Sequence, residues 1–464
     1  MWVNVILVAL AVALWVPVCV LCIECLAALL PSRRIRGASV SVSDSARRPS
    51  VAVVIPAHNE ESVLAQTLAS LLPQLTGSDR VVVVADNCSD DTLRIARSFK
   101  VTAMERNDPD RLGKGFALDF AVQYLKSAPV DVVVMIDADC LVHEGAIRAL
   151  VDQAHVTGRP AQASYLMERP AQFHPKVCVS ALAFLVKNLV RPRGLFRLGL
   201  PCMLTGSGMA FPWSVIAPVK LASGNIVEDM QLGLDLALRG DAPLFCGQAV
   251  ITGRLPRENK IAYGQRTRWE HGHLQTILSQ SPRMFRAGLR HRSVQAIAMA
   301  MELSVPPLAL LMLMLIGVCG VAAIAAWLGA SWLPSHLLLS GIAAVGICLL
   351  AAWARFGRGI VPLSALAAAP LYIAWKVPMY FAFLFRRQTE WNHTARRPRL
   401  ESAAGPAMVY QSFLDGFVSE LSPAANRGDF SVRPSVPLMQ DAAARDGSLT
   451  GSRTVEQPAD LDAR

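Results

Sequence analysis

The chain has 464 residues, 53% of them hydrophobic and only 17% charged, with a formal net charge of +10. That length accommodates a catalytic domain together with membrane helices, and the apolar excess argues against a purely soluble protein. Much of the positive surplus lies beside apolar segments, at Arg33, Arg34 and Arg36 and within 283–292 and 386–399, as arginine next to a membrane does; with no RNA- or DNA-binding signature, nucleic acid is not an expected partner.

Residues 3–30 are mostly apolar, with Glu24 their only charge, and long enough to cross a bilayer. A signal peptide would carry a basic start and a shorter apolar core. A retained anchor over 1–30 is therefore expected, and the arginines that follow place its C-terminal end in the cytoplasm. Cys19, Cys22 and Cys25 are spaced like a zinc or redox site. Inside this segment, without polar support, they read as small helix fillers. The remaining cysteines imply no disulfide framework. Residues 31–50 read as a polar linker.

A soluble domain is expected over 51–293. VAVVI (51–55) and VVVVA (81–85) are β-branched runs suited to strands buried on both faces. Between them Val63, Leu64, Leu68, Leu71 and Leu72 recur at helical spacing, and a second helix is expected over 91–99. VVVMI (132–136) predicts another buried strand. Strands alternating with helices predict an α/β domain with a mostly parallel sheet. Ligands of such sheets bind beyond the carboxyl ends of the strands. All three strands run into polar residues there: 56–61, 86–91 and 137–139.

From 294 to 385 the chain is mostly apolar. Residues 305–328 and 333–354 are predicted to span the membrane, leaving 355–359 in the cytoplasm. Residues 360–385 contain Pro370, Lys376 and Pro378 and precede an arginine-rich stretch. They either span or lie at the interface, and the positive-inside rule favours the interface. Residues 386–419 read as a basic juxtamembrane segment and 420–464 as a disordered tail.

Several short motifs carry chemistry. IDADC sets Asp137 and Asp139 at a strand end, where a hard cation such as Mg2+ or Mn2+ could bridge Asp139 to a substrate phosphate and Asp137 could hold the nucleotide. Taken alone, it also fits an ordinary acidic turn. VEDMQLG places Glu228 and Asp229 at the start of a helix over 229–239. There they could complement the helix dipole, or Asp229 could serve as a general base for an acceptor hydroxyl. QRTRW offers Gln265, the Arg268 guanidinium for a diphosphate and the Trp269 indole for a sugar face. It could equally be a helix start near the membrane. His271 and His273, without soft-ligand company, read as solvated or interfacial. GKG at 113–115 brings Lys114 on flexible backbone, although loop lysines are usually solvated.

In this order the motifs resemble the membrane-bound family 2 glycosyltransferases with a GT-A (Rossmann-like) fold, over about 51–280. The resemblance implies a metal-dependent hexosyltransferase. Pro56, Asn59, Glu60 and Asp86 would line the nucleoside pocket, with Lys114 near the uridine or diphosphate and Asp137 on the nucleotide-sugar. Asp139 would take the metal, Mg2+ or Mn2+. Asp229, beside Glu228, would be the catalytic base. Gln265, Arg268 and Trp269 would meet the diphosphate and the acceptor sugar, and Gly206, Ser207 and Gly208 of LTGSGMAF would lie beneath the acceptor. The implied partners are a nucleotide-sugar donor, a UDP-sugar, and a saccharide acceptor in exopolysaccharide or cell-surface polysaccharide synthesis, with membrane lipids and polysaccharide export partners. The alternative acceptor is a lipid or lipid-linked molecule receiving one sugar; a non-catalytic membrane scaffold is the third reading. The implied location is a bacterial-type inner membrane with a cytoplasmic catalytic domain. GKGFAL departs from the lysine loop of cellulose-synthase-like members, which leaves processivity open.

Overall fold

The computed structural model of the protein describes residues 2–30, 48–168, 175–225, 227–253 and 259–385. The expected linker up to residue 47, the basic segment 386–419 and the tail 420–464 lie outside the described residues. Helix α1 (Trp2–Leu29) precedes the soluble part. There β1 (Val51–Ala57), α2 (Leu64–Leu71), β2 (Arg80–Asp86), α3 (Thr92–Ser98), β3 (Thr102–Arg106), α4 (Lys114–Leu125) and β4 (Val132–Met135) alternate. Next come β5 (Cys140–Val142), α5 (Ala146–Thr157), β6 (Ala161–Met167), α6 (Pro175–Leu185), α7 (Arg191–Arg197), β7 (Met209–Pro212), α8 (Trp213–Ile216), α9 (Glu228–Arg239) and β8 (Leu244–Gly253). The C-terminal part is helical: α10 (Asn259–His291), α11 (Val294–Ser304), α12 (Leu308–Trp327), α13 (Leu333–Ala352), α14 (Leu363–Leu366) and α15 (Ala369–Phe385).

The strands form one sheet in the order β3-β2-β1-β4-β7-β6-β8-β5. The pairs β1–β2, β1–β4, β2–β3 and β6–β8 are parallel, and β4–β7, β6–β7 and β5–β8 are antiparallel. The expected mostly parallel α/β sheet is therefore present, with an antiparallel insertion at β7. Strand alternation explains the β-branched runs. Val51, Val53 and Ile55 pack on one face with Leu64, Leu68 and Leu71 of α2. Ala52 and Val54 pack on the other with Ala117, Leu118 and Ala121 of α4. Both faces are covered, so the strand ends alone are left to meet a ligand.

Among the described residues, three helices are long and apolar enough to cross a membrane: α1, α12 and Leu333–Gly357, in which α13 continues through a π-helical turn at Trp353–Gly357. That turn overlaps 355–359, the short stretch expected between membrane segments, at residues 355–357. Large apolar side chains such as Ile6, Ile324 and Ile347 point outward from these helices. Between them Leu14, Leu21, Leu311, Leu338 and Val345 make a shared core. Polar contacts fix the helices to one another: the Trp15 indole donates to the Leu337 carbonyl at 2.9 Å, and the Ser331 amide donates to Asn4 Oδ1 at 3.0 Å. Glu24, the one charge in α1, is buried and pairs with Arg191 of α7. Gly194 permits that approach, because a β-carbon there would come within 1.9 Å of the Glu24 carbonyl oxygen.

Candidate active site

The carboxyl ends of β1, β2 and β4 open into a cavity of about 380 Å3, within the usual range for a small-molecule site. Pro56, Glu60, Asp86, Lys114, Asp137, Asp139, Gly206, Glu228, Asp229, Gln265, Arg268 and Trp269 all line it. Twelve of the fifteen residues singled out in the sequence are thus brought to one space. The other three stand behind its wall. Asn59 holds a left-handed turn at φ 54°, and its Oδ1 accepts from the Ser89 amide at 2.8 Å, tying the loop after β1 to the loop after β2. Ser207 is fully buried and its hydroxyl accepts from the Asp137 amide at 3.1 Å. Gly208 is packed against Ala163 and Ile251.

Asp86 ends β2 almost fully buried. Its Oδ1 accepts from Arg106 Nη1 at 2.5 Å and from Asn87 Nδ2 at 3.0 Å. Burial pushes its carboxyl up, and the Arg106 guanidinium pulls against that shift. Arg106, at the end of β3, was missed in the sequence because its strand, TAMER, has no apolar run to announce it.

Lys114 is not a solvated loop lysine. It opens α4, and its Nζ reaches Asp137 Oδ1 at 2.5 Å, the Gly206 carbonyl at 2.6 Å and Glu228 Oε1 at 3.7 Å. Burial opposes its charge, but the surrounding Asp137, Glu228 and Asp229 carboxylates outweigh it and hold the amine protonated. The carboxylates also shift upward, which for them favours the neutral form. Burial raises Asp137, Asp229 and Glu228, the last to about 7, while Lys114 opposes each shift.

Asp137, Asp139 and Cys140 have ligand atoms within 4.8 Å of one another. The Cys140 thiol is buried, and burial holds its pKa well above the ordinary range, so it stays protonated. That leaves the two carboxylates, a donor set for a hard, oxygen-seeking cation. The charge balance favours one, because Lys114, with Lys187 also acting on Asp229, faces three carboxylates, Asp137, Glu228 and Asp229, and Asp139 acts on Asp137 as a fourth.

Glu228 and Asp229 form the first turn of α9, as expected, and both face the cavity. Gly206 makes room for the base candidate: its φ is +90°, and a β-carbon there would lie 3.3 Å from Asp229 Oδ2. QRTRW lies within α10 rather than at a helix start. Trp269 has one flank taken, its ring 6.3 Å from that of Phe184, which in turn meets Tyr165 edge-on at 5.4 Å. His271 and His273 are buried, not solvated. His271 Nε2 is 3.0 Å from the Met379 carbonyl, and burial holds the His273 imidazole neutral, well below its usual range.

Two further lining residues carried no sequence signal. Lys187 lies on a π-helical turn at Val186–Val190, a distortion common at functional sites. Glu270 follows the QRTRW motif and sits against α15.

Residues 49–272 match the family model described as "Glycosyltransferase like family 2". A probable glycosyltransferase, YdaM, of Bacillus subtilis (strain 168) is 26% identical over 254 residues, covering 51% of this chain and 58% of that protein. The 4,4'-diaponeurosporenoate glycosyltransferase of Staphylococcus aureus (strain bovine RF122 / ET3-1) is 32% identical over 111 residues, covering 24% of this chain and 29% of that protein. The chain therefore spans less than two thirds of either relative. Among solved structures, the mannosyltransferase PcManGT from Pyrobaculum calidifontis, in complex with GDP-Man and Mn2+, superposes with a TM-score of 0.49 at 18% identity, over 81% of this chain and 99% of that one. The family match covers the strands, the carboxylates and QRTRW alike: residues 49–272, which hold the sheet described above, form a family 2 glycosyltransferase domain.

Proposed function

We propose that the protein inverts the anomeric centre of a nucleotide-sugar, a UDP-sugar by its motifs, in transferring the sugar to a lipid or lipid-linked acceptor at a bacterial inner membrane, from the cytoplasmic side. The observation that carries this reading is the continuity of the cavity. One end meets the carboxylates at the strand ends, and the other is walled by Ala181 and Phe184 of α6, Pro307 and Leu308 at the start of α12, and Tyr372 of α15. A polar donor and an apolar acceptor suit the two ends. The arginines beside the apolar segments favour a cytoplasmic catalytic domain, and the same charge bias favours α15 at the interface. A growing saccharide is the competing acceptor.

In the reaction, Asp86 and Glu60 border the nucleoside and Lys114 the diphosphate, with Asp137 and Asp139 as the carboxylates able to hold a divalent cation. That cation, when bound, screens the diphosphate charge and eases its departure. A carboxylate oxygen of Asp229 takes the proton of the acceptor hydroxyl. The hydroxyl oxygen forms a bond to the anomeric carbon as that carbon's bond to the diphosphate oxygen breaks. Arg268 meets the charge left on the diphosphate. One displacement inverts the configuration, so an α-linked donor gives a β-glycoside. Replacing Asp229 by Asn tests the assignment: transfer falls by about 10²–10⁴-fold, while nucleotide affinity measured by calorimetry stays within twofold. Near-normal transfer would remove Asp229 as the base.

A further inference from the structure

The Glu270 carboxylate, one residue beyond Trp269 and two beyond Arg268, is engaged at both oxygens by α15. Oε1 pairs with Lys376 Nζ, and Oε2 accepts from the Tyr380 hydroxyl at 2.6 Å. Lys376 and Tyr380 are four residues apart and so share one face of their helix. The neighbouring residue repeats the attachment, with His271 Nε2 3.0 Å from the Met379 carbonyl. Two turns earlier in α10, the Tyr263 ring meets Trp375 edge-on at 5.4 Å. The Lys376 and Glu270 side chains are only 6% and 15% exposed.

A buried ion pair is a poor source of stability, because desolvation consumes most of its attraction and apolar residues of similar size would serve as well. Its better-attested use is to fix register between elements. Here the register in question is the rotation of α10, which decides where Arg268 and Trp269 point. Two partners on two oxygens constrain rotation and translation together, as a single contact would not. Glu270 and Lys376 also line the cavity, so the constraint acts at the place where alignment matters.

Resting on the reading of this cavity as a glycosyl-transfer site, we propose that Glu270, Lys376 and Tyr380 form a latch through which α15 sets the rotation of α10 and holds Arg268 and Trp269 in line with the diphosphate and the acceptor. They are positioning residues. The nucleoside end of the cavity, built on β1, β2 and α4, does not depend on them.

The test uses the full chain in detergent, with E270Q, K376M, Y380F, K376R and the double variant E270Q/K376M. Turnover with the donor the enzyme accepts is expected to fall at least tenfold in E270Q and K376M, while affinity for UMP, which lacks the second phosphate, stays within twofold. The double variant should be no slower than the worse single variant, and K376R should recover most of the loss. Amide hydrogen exchange over 263–275 should rise in E270Q and K376M with exchange in β1 and β4 unchanged. Turnover within twofold of the parent in both single variants would overturn the latch, as would UMP affinity falling in step with turnover. If no nucleotide-sugar is turned over by the parent, the transfer reading fails. The exchange measurement then still decides the latch, because unchanged exchange over 263–275 overturns it.

Discussion

Asp229 owes its proposed role to burial. Enclosure in the cavity raises its carboxyl above the ordinary range, with Lys114 opposing the shift, and a base works best when its acidity approaches the working pH. The sign follows directly. A raised carboxyl loses its ionised form at a higher pH than usual, so transfer should decline as pH falls, on an acid limb lying above that of an exposed aspartate. Glu228 beside it is raised by the same burial, to about 7. A pH–rate profile with nucleotide affinity followed in parallel checks this; a flat rate down to pH 4 would contradict it. Lys114 shows why single residues misled the sequence reading. A lysine between two glycines looks solvated, and only the fold brings Asp137, from 23 residues further on, to within 2.5 Å of its amine.

At the scale of elements, the strands were legible because β-branched runs covered on both faces leave a continuous apolar stretch, and α2, α9, α12 and α13 announced themselves by period or length. The polar strand ends were legible for the same reason, since they interrupt those runs. What could not be read were contacts between distant elements. Arg106 on Asp86, Glu24 on Arg191 and Lys376 on Glu270 join residues that no local pattern relates. His271 and His273 looked solvated because the sequence does not show α15 lying against α10. The Glu24–Arg191 pair ties α1 to α7, and Arg191 Nη2 also donates to the Glu302 carbonyl of α11 at 2.8 Å. Glu24→Gln would leave the guanidinium buried without its counter-charge, a loss of about 3–5 kcal/mol, read as a lowered thermal midpoint in detergent. Combining it with Arg191→Met should recover much of that loss. An unchanged midpoint in the single variant would mean that the anchor docks by apolar packing alone.

Over the whole molecule, the proposed function brings a water-soluble donor and the membrane together at one cavity. The sheet supplies carboxylates at its edge, α10 carries the guanidinium and the indole, and α6, α12 and α15 add Ala181, Phe184, Leu308 and Tyr372 beside the charged Lys376. Three helices able to cross a membrane would keep that part of the cavity beside the bilayer, where an acceptor with a hydrocarbon chain enters without leaving lipid. A growing saccharide would instead need a polar path through the same helices. The deciding measurement is incubation of membranes containing the enzyme with a panel of radiolabelled UDP- and GDP-sugars, followed by organic extraction and sizing of the product. The account predicts label in the organic phase as a single-sugar conjugate, absent with the Asp229→Asn variant. A water-soluble ladder or polymer would contradict the lipid acceptor, and no incorporation from any donor would contradict the transfer itself.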